Sequence, residues 1–158
     1  MQNEHMKSGI CYIVGAAEFS RGFEVTKGDF VIAADGGYDR LLSMGITPDL
    51  LIGDLDSISA DVPSGIKLLK HEVEKDETDM HLAFIEGMRL GYRRFRIYGG
   101  CGGRSDHTLA NYALLLYAAR HEADARLVSD EGESLIIENS EVLLKRDCWQ
   151  GVSIFAFG

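Results

Sequence analysis

The sequence predicts an α/β domain on a mainly parallel sheet, followed by a shorter all-β region. Three observations predict this. Short apolar runs at 10–14, 30–34 and 95–98 each run into Gly or Asp-Gly, as buried strands do on leaving a sheet. Segments with apolar residues at helical spacing alternate with these runs, which implies parallel strands joined by helical crossovers. After about residue 130 the helical spacing stops, and only strand-like segments with turn residues between them follow.

Taken in order, Ile10-Cys11-Tyr12-Ile13-Val14 before Gly15 reads as the first strand, and Phe30-Val31-Ile32-Ala33-Ala34 before Asp35 as the second. A short helix is predicted over 38–44, with Gly45 as its left-handed stop. Leu50-Leu51-Ile52 is the next strand, and 66–70 another after the loop containing Pro63. Thr78 or Asp79 can cap a helix that runs to about residue 90, where Gly91 follows. Its Met80, Ala83, Phe84 and Met88 fall at core-facing spacing. After the 95–98 strand and a glycine-rich loop, a helix is predicted over 107–121, burying Leu109, Tyr112, Ala113, Leu116 and Tyr117. A strand at 126–129 closes the series. The segments 134–138, 141–144 and 152–157 then read as successive strands. The last one stops at Gly158 without a partner, which suggests the opening of an incomplete second domain and a strand edge in need of cover.

Composition narrows the function. At 158 residues the chain can hold one substantial core, or one core and part of another. Sixteen Lys and Arg against 25 Asp and Glu give a formal charge of −9, which argues against a nucleic-acid groove. The one dense basic cluster, Arg93-Arg94-Phe95-Arg96, reads as an exposed helix-to-strand junction. No apolar stretch approaches a membrane span, and residues 1–9 carry no apolar signal segment. Cys11, Cys101 and Cys148 are widely spaced and form no ligand pattern, so a reducing, cytoplasmic setting is expected.

Four clusters at predicted strand ends carry the chemistry, at the edge where open α/β sheets bind ligands. In Gly53-Asp54-Leu55-Asp56-Ser57, extended chain would project Asp54 and Asp56 to one face. Paired carboxylates repel unless a cation lies between them, and Mg²⁺ takes a few carboxylates while leaving room for phosphate oxygens. A solvated turn with two surface acids is the plain alternative. In Lys75-Asp76-Glu77-Thr78-Asp79, Asp79 could complete a metal site and Lys75 could neutralise phosphate, or Asp76, Thr78 and Asp79 could simply cap a helix. Asp35-Gly36-Gly37 permits close backbone approach at a helix start, or is an ordinary strand-to-helix turn. The glycines of 99–103 free backbone N–H groups to cradle phosphate, followed by Arg104 as a phosphate fork, Asp106 as cap or ligand, and His107. This loop is not a P-loop, since no Gly-Lys-Ser/Thr follows. Cys101 within it reads as a small filler rather than a nucleophile.

Together these segments, with Gly45 to Ser57 and the continuation to Asn111, closely resemble the thiamin pyrophosphokinase family over roughly residues 10–158. The resemblance implies a Rossmann-like catalytic unit with helices on both faces of its sheet (residues 1–130 here). The opening strands of a thiamin-binding β-sandwich would follow at 131–158. It implies Mg²⁺-dependent transfer of pyrophosphate from ATP to the hydroxyethyl group of thiamin, giving thiamin diphosphate and AMP, by a homodimer. Asp54, Asp56 and Asp79 would hold Mg²⁺ and act as the catalytic set, with Asp35, Gly36 and Gly37 nearby. Lys75, Asp76, Thr78, Gly102, Gly103, Arg104 and Asp106 would contact ATP, joined by His107 and Asn111. In the family the β-domain continues beyond the counterpart of Gly158, and the thiamin pocket borrows that domain from the partner subunit. The chain is therefore expected to bind Mg²⁺–ATP but to transfer weakly or not at all. Two rivals stand beside this reading. A dehalogenase-like phosphatase would phosphorylate Asp54, but it places its D-x-D after the first strand, whereas two strands precede it here. The other is a nucleotide-sensing module without catalysis.

Overall fold

The computed structural model describes residues 6–53, 62–70, 78–145 and 150–156. Among them the elements are β1 (Cys11–Val14), β2 (Phe30–Ala34), α1 (Gly37–Ser43), β3 (Leu50–Ile52), β4 (Lys67–Leu69), α2 (Asp79–Arg89), β5 (Arg94–Tyr98), α3 (Ser105–Arg120), β6 (Asp124–Ser129) and β7 (Gly132–Ser134). All seven strands join one sheet in the order β4-β3-β2-β1-β5-β6-β7. Strands β1 to β6 are parallel, and β7 turns back antiparallel on β6.

The apolar runs are continuous because both sheet faces are covered. Ile13, Ile32, Ile52, Ile97 and Leu127 face α2 and α3, meeting Phe84, Leu115 and Ala118. Their neighbours Tyr12, Val14, Val31, Leu51, Tyr98 and Val128 point the other way, toward Tyr38 and Leu41 of α1. Helices thus lie on both faces, as expected. The β1–β2 connection has no helix, and its aromatic side chains do the covering instead: Phe23 stacks on Tyr12 with centroids 4.4 Å apart, and Phe19 packs on Tyr98.

Two expectations are corrected. The face of α3 turned to the sheet is Asn111, Leu114, Leu115 and Ala118; of the expected residues Tyr112 and Tyr117 pack at its flanks, while Leu109 is 69% exposed and Ala113 is also exposed. This helix is apolar on most sides, so spacing alone does not single out a face, and the polar Asn111 makes the true one look a poor choice. The three strands expected after 130 also do not form as drawn. Only Ser134 of those segments lies in a strand, and the described residues of 135–145 and 150–156 have no regular structure. A strand needs a partner for its N–H and C=O groups and a buried face to fix its register. Ile154 and Phe155 are 90% and 79% exposed and have no such face.

Candidate active site

Because β1 to β6 are parallel, their C-terminal ends share one edge of the sheet. The connection from β1 leads toward β2, and the one from β5 leads the other way toward β6. The crevice where adjacent connections diverge is the ligand site of open α/β sheets. Here it lies between the ends of β1 and β5.

At that point two backbones touch. The N–H of Gly15 donates to the Tyr98 carbonyl at 2.8 Å, and that of Ala17 donates to Gly99 at 3.1 Å. A Cβ on Gly99, whose φ is +63°, would lie 2.3 Å from the Gly15 carbonyl oxygen. Met80, next after Asp79, wedges beneath both loops: a Cβ on Gly15 would lie 3.0 Å from its Sδ, and one on Gly100 would lie 3.3 Å from its Cε. The first turn of α2 is thereby seated against the two loops. Sequence reasoning treats Gly15 only as a strand end, although it follows β1 as Gly53 follows β3.

Asp35 follows β2 with φ +49°, a region that Asp tolerates better than most residues. Its N–H donates to the Ile52 carbonyl at 2.7 Å, and Gly53 packs so closely that a Cβ there would lie 3.2 Å from the Asp35 Cα. Its Oδ1 is buried without a hydrogen-bond partner. The carboxylate is therefore brought beside the residue that precedes Asp54. Gly36 caps α1, and Gly37 is buried against the Val14 carbonyl, so it serves strand–helix packing.

Thr78 caps α2, its Oγ1 accepting from the His81 N–H at 3.2 Å, and Asp79 opens the helix. Asp54, Asp56, Lys75, Asp76 and Cys148 lie outside the described residues, which reach the cluster only through Gly53 and Thr78. Among the described residues no three His, Cys, Asp or Glu side chains gather around one point that could hold an ion.

Beyond β5, Gly102 and Gly103 form an exposed loop tip, and Arg104 precedes α3. The Arg104 guanidinium grips Asp106 with two bonds, Nε to Oδ1 at 3.1 Å and Nη2 to Oδ2 at 2.6 Å. That grip holds the Asp106 carboxyl down at about 2. The guanidinium expected to fork phosphate holds a carboxylate here, both groups being exposed. His107 is exposed in the same turn. Asn111 is buried below the loop, its Nδ2 donating to the Gly100 carbonyl at 2.8 Å. Burial pushes the Cys101 thiol up, in keeping with a filler.

A strap across this edge has no counterpart in the sequence reading. The Asp130 carboxylate, just past β6, accepts from the N–H of Ser20 at 2.8 Å and of Arg21 at 2.9 Å, tying the β1–β2 loop to the far side of the crevice. These bonds hold the Asp130 carboxyl below its ordinary value. Partners 110 residues apart leave no local signal in the sequence.

Comparison with known proteins identifies the family to which this fold belongs. Residues 24–128 match the family described as thiamin pyrophosphokinase, catalytic domain. The chain is similar to the thiamine pyrophosphokinase of Bacillus subtilis, with 31% identity over 121 residues, covering 73% of this chain and 56% of that protein. A solved structure of thiamine pyrophosphokinase from Bacillus subtilis superposes with a TM-score of 0.69 at 26% identity, over 78% of this chain and 62% of that one. A thiamin pyrophosphokinase from Geobacillus thermodenitrificans gives 0.61 at 27% identity, over 75% and 59%. The chain spans about half the length of the curated relatives it matches. The match covers the sheet from β2 almost to the end of β6, including the loop after β5 and the helix starts beside the crevice. On that extent of agreement the chain belongs to the thiamin pyrophosphokinase family, through its catalytic domain.

Proposed function

We propose that this chain is the nucleotide-handling part of a thiamin diphosphokinase, which moves the pyrophosphoryl group of ATP to the hydroxyethyl oxygen of thiamin and releases AMP. The observation that carries the reading is the gathering of Asp35, the start of α2 with Asp79, and the glycine loop with Arg104 at one edge of the parallel sheet, in a member of this family.

The residues suit a hard divalent cation. Asp35 Oδ1 is a buried carboxylate oxygen without a hydrogen-bond partner, and oxygen donors are what Mg²⁺ selects. Asp54, Asp56 and Asp79 are the proposed Mg²⁺ ligands, with Asp35 beside them. When bound, Mg²⁺ would offset phosphate charge and acidify the attacking alcohol.

The chain's own part is positioning and electrostatics, which carry most of phosphoryl-transfer catalysis. The N–H groups of 101–103 cradle phosphate, and Arg104 exchanges the Asp106 carboxylate for a phosphate oxygen. That exchange is easy because the pair is exposed and screened by water, so little holds it together. Lys75, Asp76, Thr78, Gly102, Gly103 and His107 complete the proposed nucleotide contacts. Residues 1–130 form the catalytic unit and 131–158 the opening of a β-sandwich that holds thiamin across a homodimer, in the cytoplasm.

Calorimetry with Mg²⁺–ATP, beside an AMP-release assay with thiamin, tests the reading. The chain should bind ATP with Mg²⁺, and Asp56→Asn should weaken binding at least tenfold. Equal binding by both proteins, with or without Mg²⁺, would refute the acidic site. Release of free phosphate with trapping of beryllium fluoride on an Asp would favour the phosphatase rival instead.

A further inference from the structure

The glycine loop has two halves in different surroundings. Its root is enclosed: a Cβ on Gly100 would lie 2.8 Å from Leu127 Cδ1 and 3.0 Å from Asn111 Nδ2. Its tip is open, since a Cβ on Gly102 or Gly103 would meet nothing within 4 Å. The root is bonded to α3 through the side chain of Asn111.

Asn111 is 4% exposed and occupies the face of α3 that is otherwise Leu114, Leu115 and Ala118. A polar amide in such a stripe is costly unless it is bonded, and a leucine of similar size would suit the apolar neighbours better. What the amide does is donate to the Gly100 carbonyl at 2.8 Å. The Gly100 carbonyl and the Cys101 N–H belong to one rigid trans peptide plane and point in opposite directions. Drawing the carbonyl inward toward α3 therefore turns the Cys101 N–H away from α3. Among the described residues no backbone acceptor takes up the N–H of Cys101, Gly102 or Gly103.

We propose that Asn111 is the positioning residue of the phosphate loop: by holding the Gly100 carbonyl it aims the Cys101 N–H at the bound phosphate, without touching the nucleotide itself. This rests on the reading of 99–103 as a phosphate-binding loop, and it moves Asn111 from the expected contact set to the support beneath it. Loss of the amide leaves a buried carbonyl unsatisfied and frees the peptide plane to rotate, so the loop tip loses its fixed donor.

Two variants of the full chain test this. Asn111→Leu keeps the volume and removes the donor. Asn111→Asp puts a carboxylate against a carbonyl at neutral pH, but a protonated carboxyl can donate. Mg²⁺–ATP affinity should fall about tenfold in Asn111→Leu. In Asn111→Asp it should fall at pH 7.5 and recover toward the unmodified chain, measured at the same pH, as pH is lowered toward 4. In the ligand-free proteins, ¹⁵N order parameters at 100–103 should drop toward the flexible range, below about 0.6, in Asn111→Leu while β5 stays rigid. Unchanged affinity in both variants would overturn the proposal, and so would an unchanged loop in Asn111→Leu. If none of the proteins binds nucleotide, the phosphate-loop reading falls and the aiming role with it, while the order parameters still decide whether Asn111 holds the loop. Should Asn111→Leu fail to fold, the pH response of Asn111→Asp tests the proposal by itself: recovery supports it, and a pH-independent loss or no loss overturns it.

Discussion

A methyl group on Gly99 would lie 2.3 Å from the Gly15 carbonyl oxygen, with φ at +63°, whereas one on Gly102, at φ +88°, would stand in open space. The first substitution meets both strain and a backbone collision, the second strain alone. Gly99→Ala is expected to cost about 3 kcal/mol or more and Gly102→Ala about 1–2 kcal/mol, read from urea denaturation. Equal losses would mean that the contact between the two loops does not hold the crevice. Much of this site is legible residue by residue, because the signals are local. Asp35 at a strand end, Thr78 before an amphipathic stretch and Arg104 after glycines each declare their surroundings. The Asn111 bond and the Asp130 strap are not legible as such. Each depends on which turn of a helix or which loop lies opposite, and chain neighbours do not encode that.

At the scale of elements, α2 is legible because most of its apolar positions share one side: Met80, Ala83 and Phe84 are buried and Arg89 is exposed, with Ile85 (exposed) and Glu86 (buried) as the exceptions. Helix α3 lacks that contrast: of the positions that spacing favours, Tyr112 and Tyr117 pack against the core, while Leu109 and Ala113 are turned away from the sheet. The observed orientation predicts opposite outcomes for two leucines in the same helix. Leu109→Gln should change stability by no more than about 0.5 kcal/mol, because its side chain is already solvated. Leu115→Ala, at 1% exposure among Phe84 and the sheet, should cost about 2–5 kcal/mol. Thermal melts of the two variants check this, and a reversed ranking would place the other face inward. Strands β1, β2, β3 and β5 are legible as runs buried on both sides. The segments after β7 have strand composition, but a strand is a property of a pair, and composition does not supply the partner.

For the whole molecule, the sheet order sets where the site lies, and Asp130 ties the β1–β2 loop to the β6 side of it. Hydrogen bonds from Ser20 and Arg21 lower the Asp130 carboxyl from its ordinary 3.8. A carboxyl lowered in the folded state contributes stability above that ordinary value and loses it as pH falls through the lowered one. The amide shifts of Ser20 and Arg21 should therefore titrate together with a midpoint below 3.8, and Asp130→Asn should abolish the titration. A midpoint at or above 3.8 would mean the strap is open in solution.

The central pairing of the sheet joins Cys11 to Phe95 and Val14 to Tyr98, partners 84 positions apart along the chain (95 − 11). Strands β2 to β4 can assemble on one side of that seam, and β6 and β7 on the other, without the seam being closed. The crevice is made of both sides. No half-assembled chain contains a reduced version of it, so a nucleotide seated there, as proposed, would recognise only molecules whose two halves have already met. Such binding would act as a proofreader of folding: it would draw the population toward completed molecules and give nothing to the intermediates that precede them.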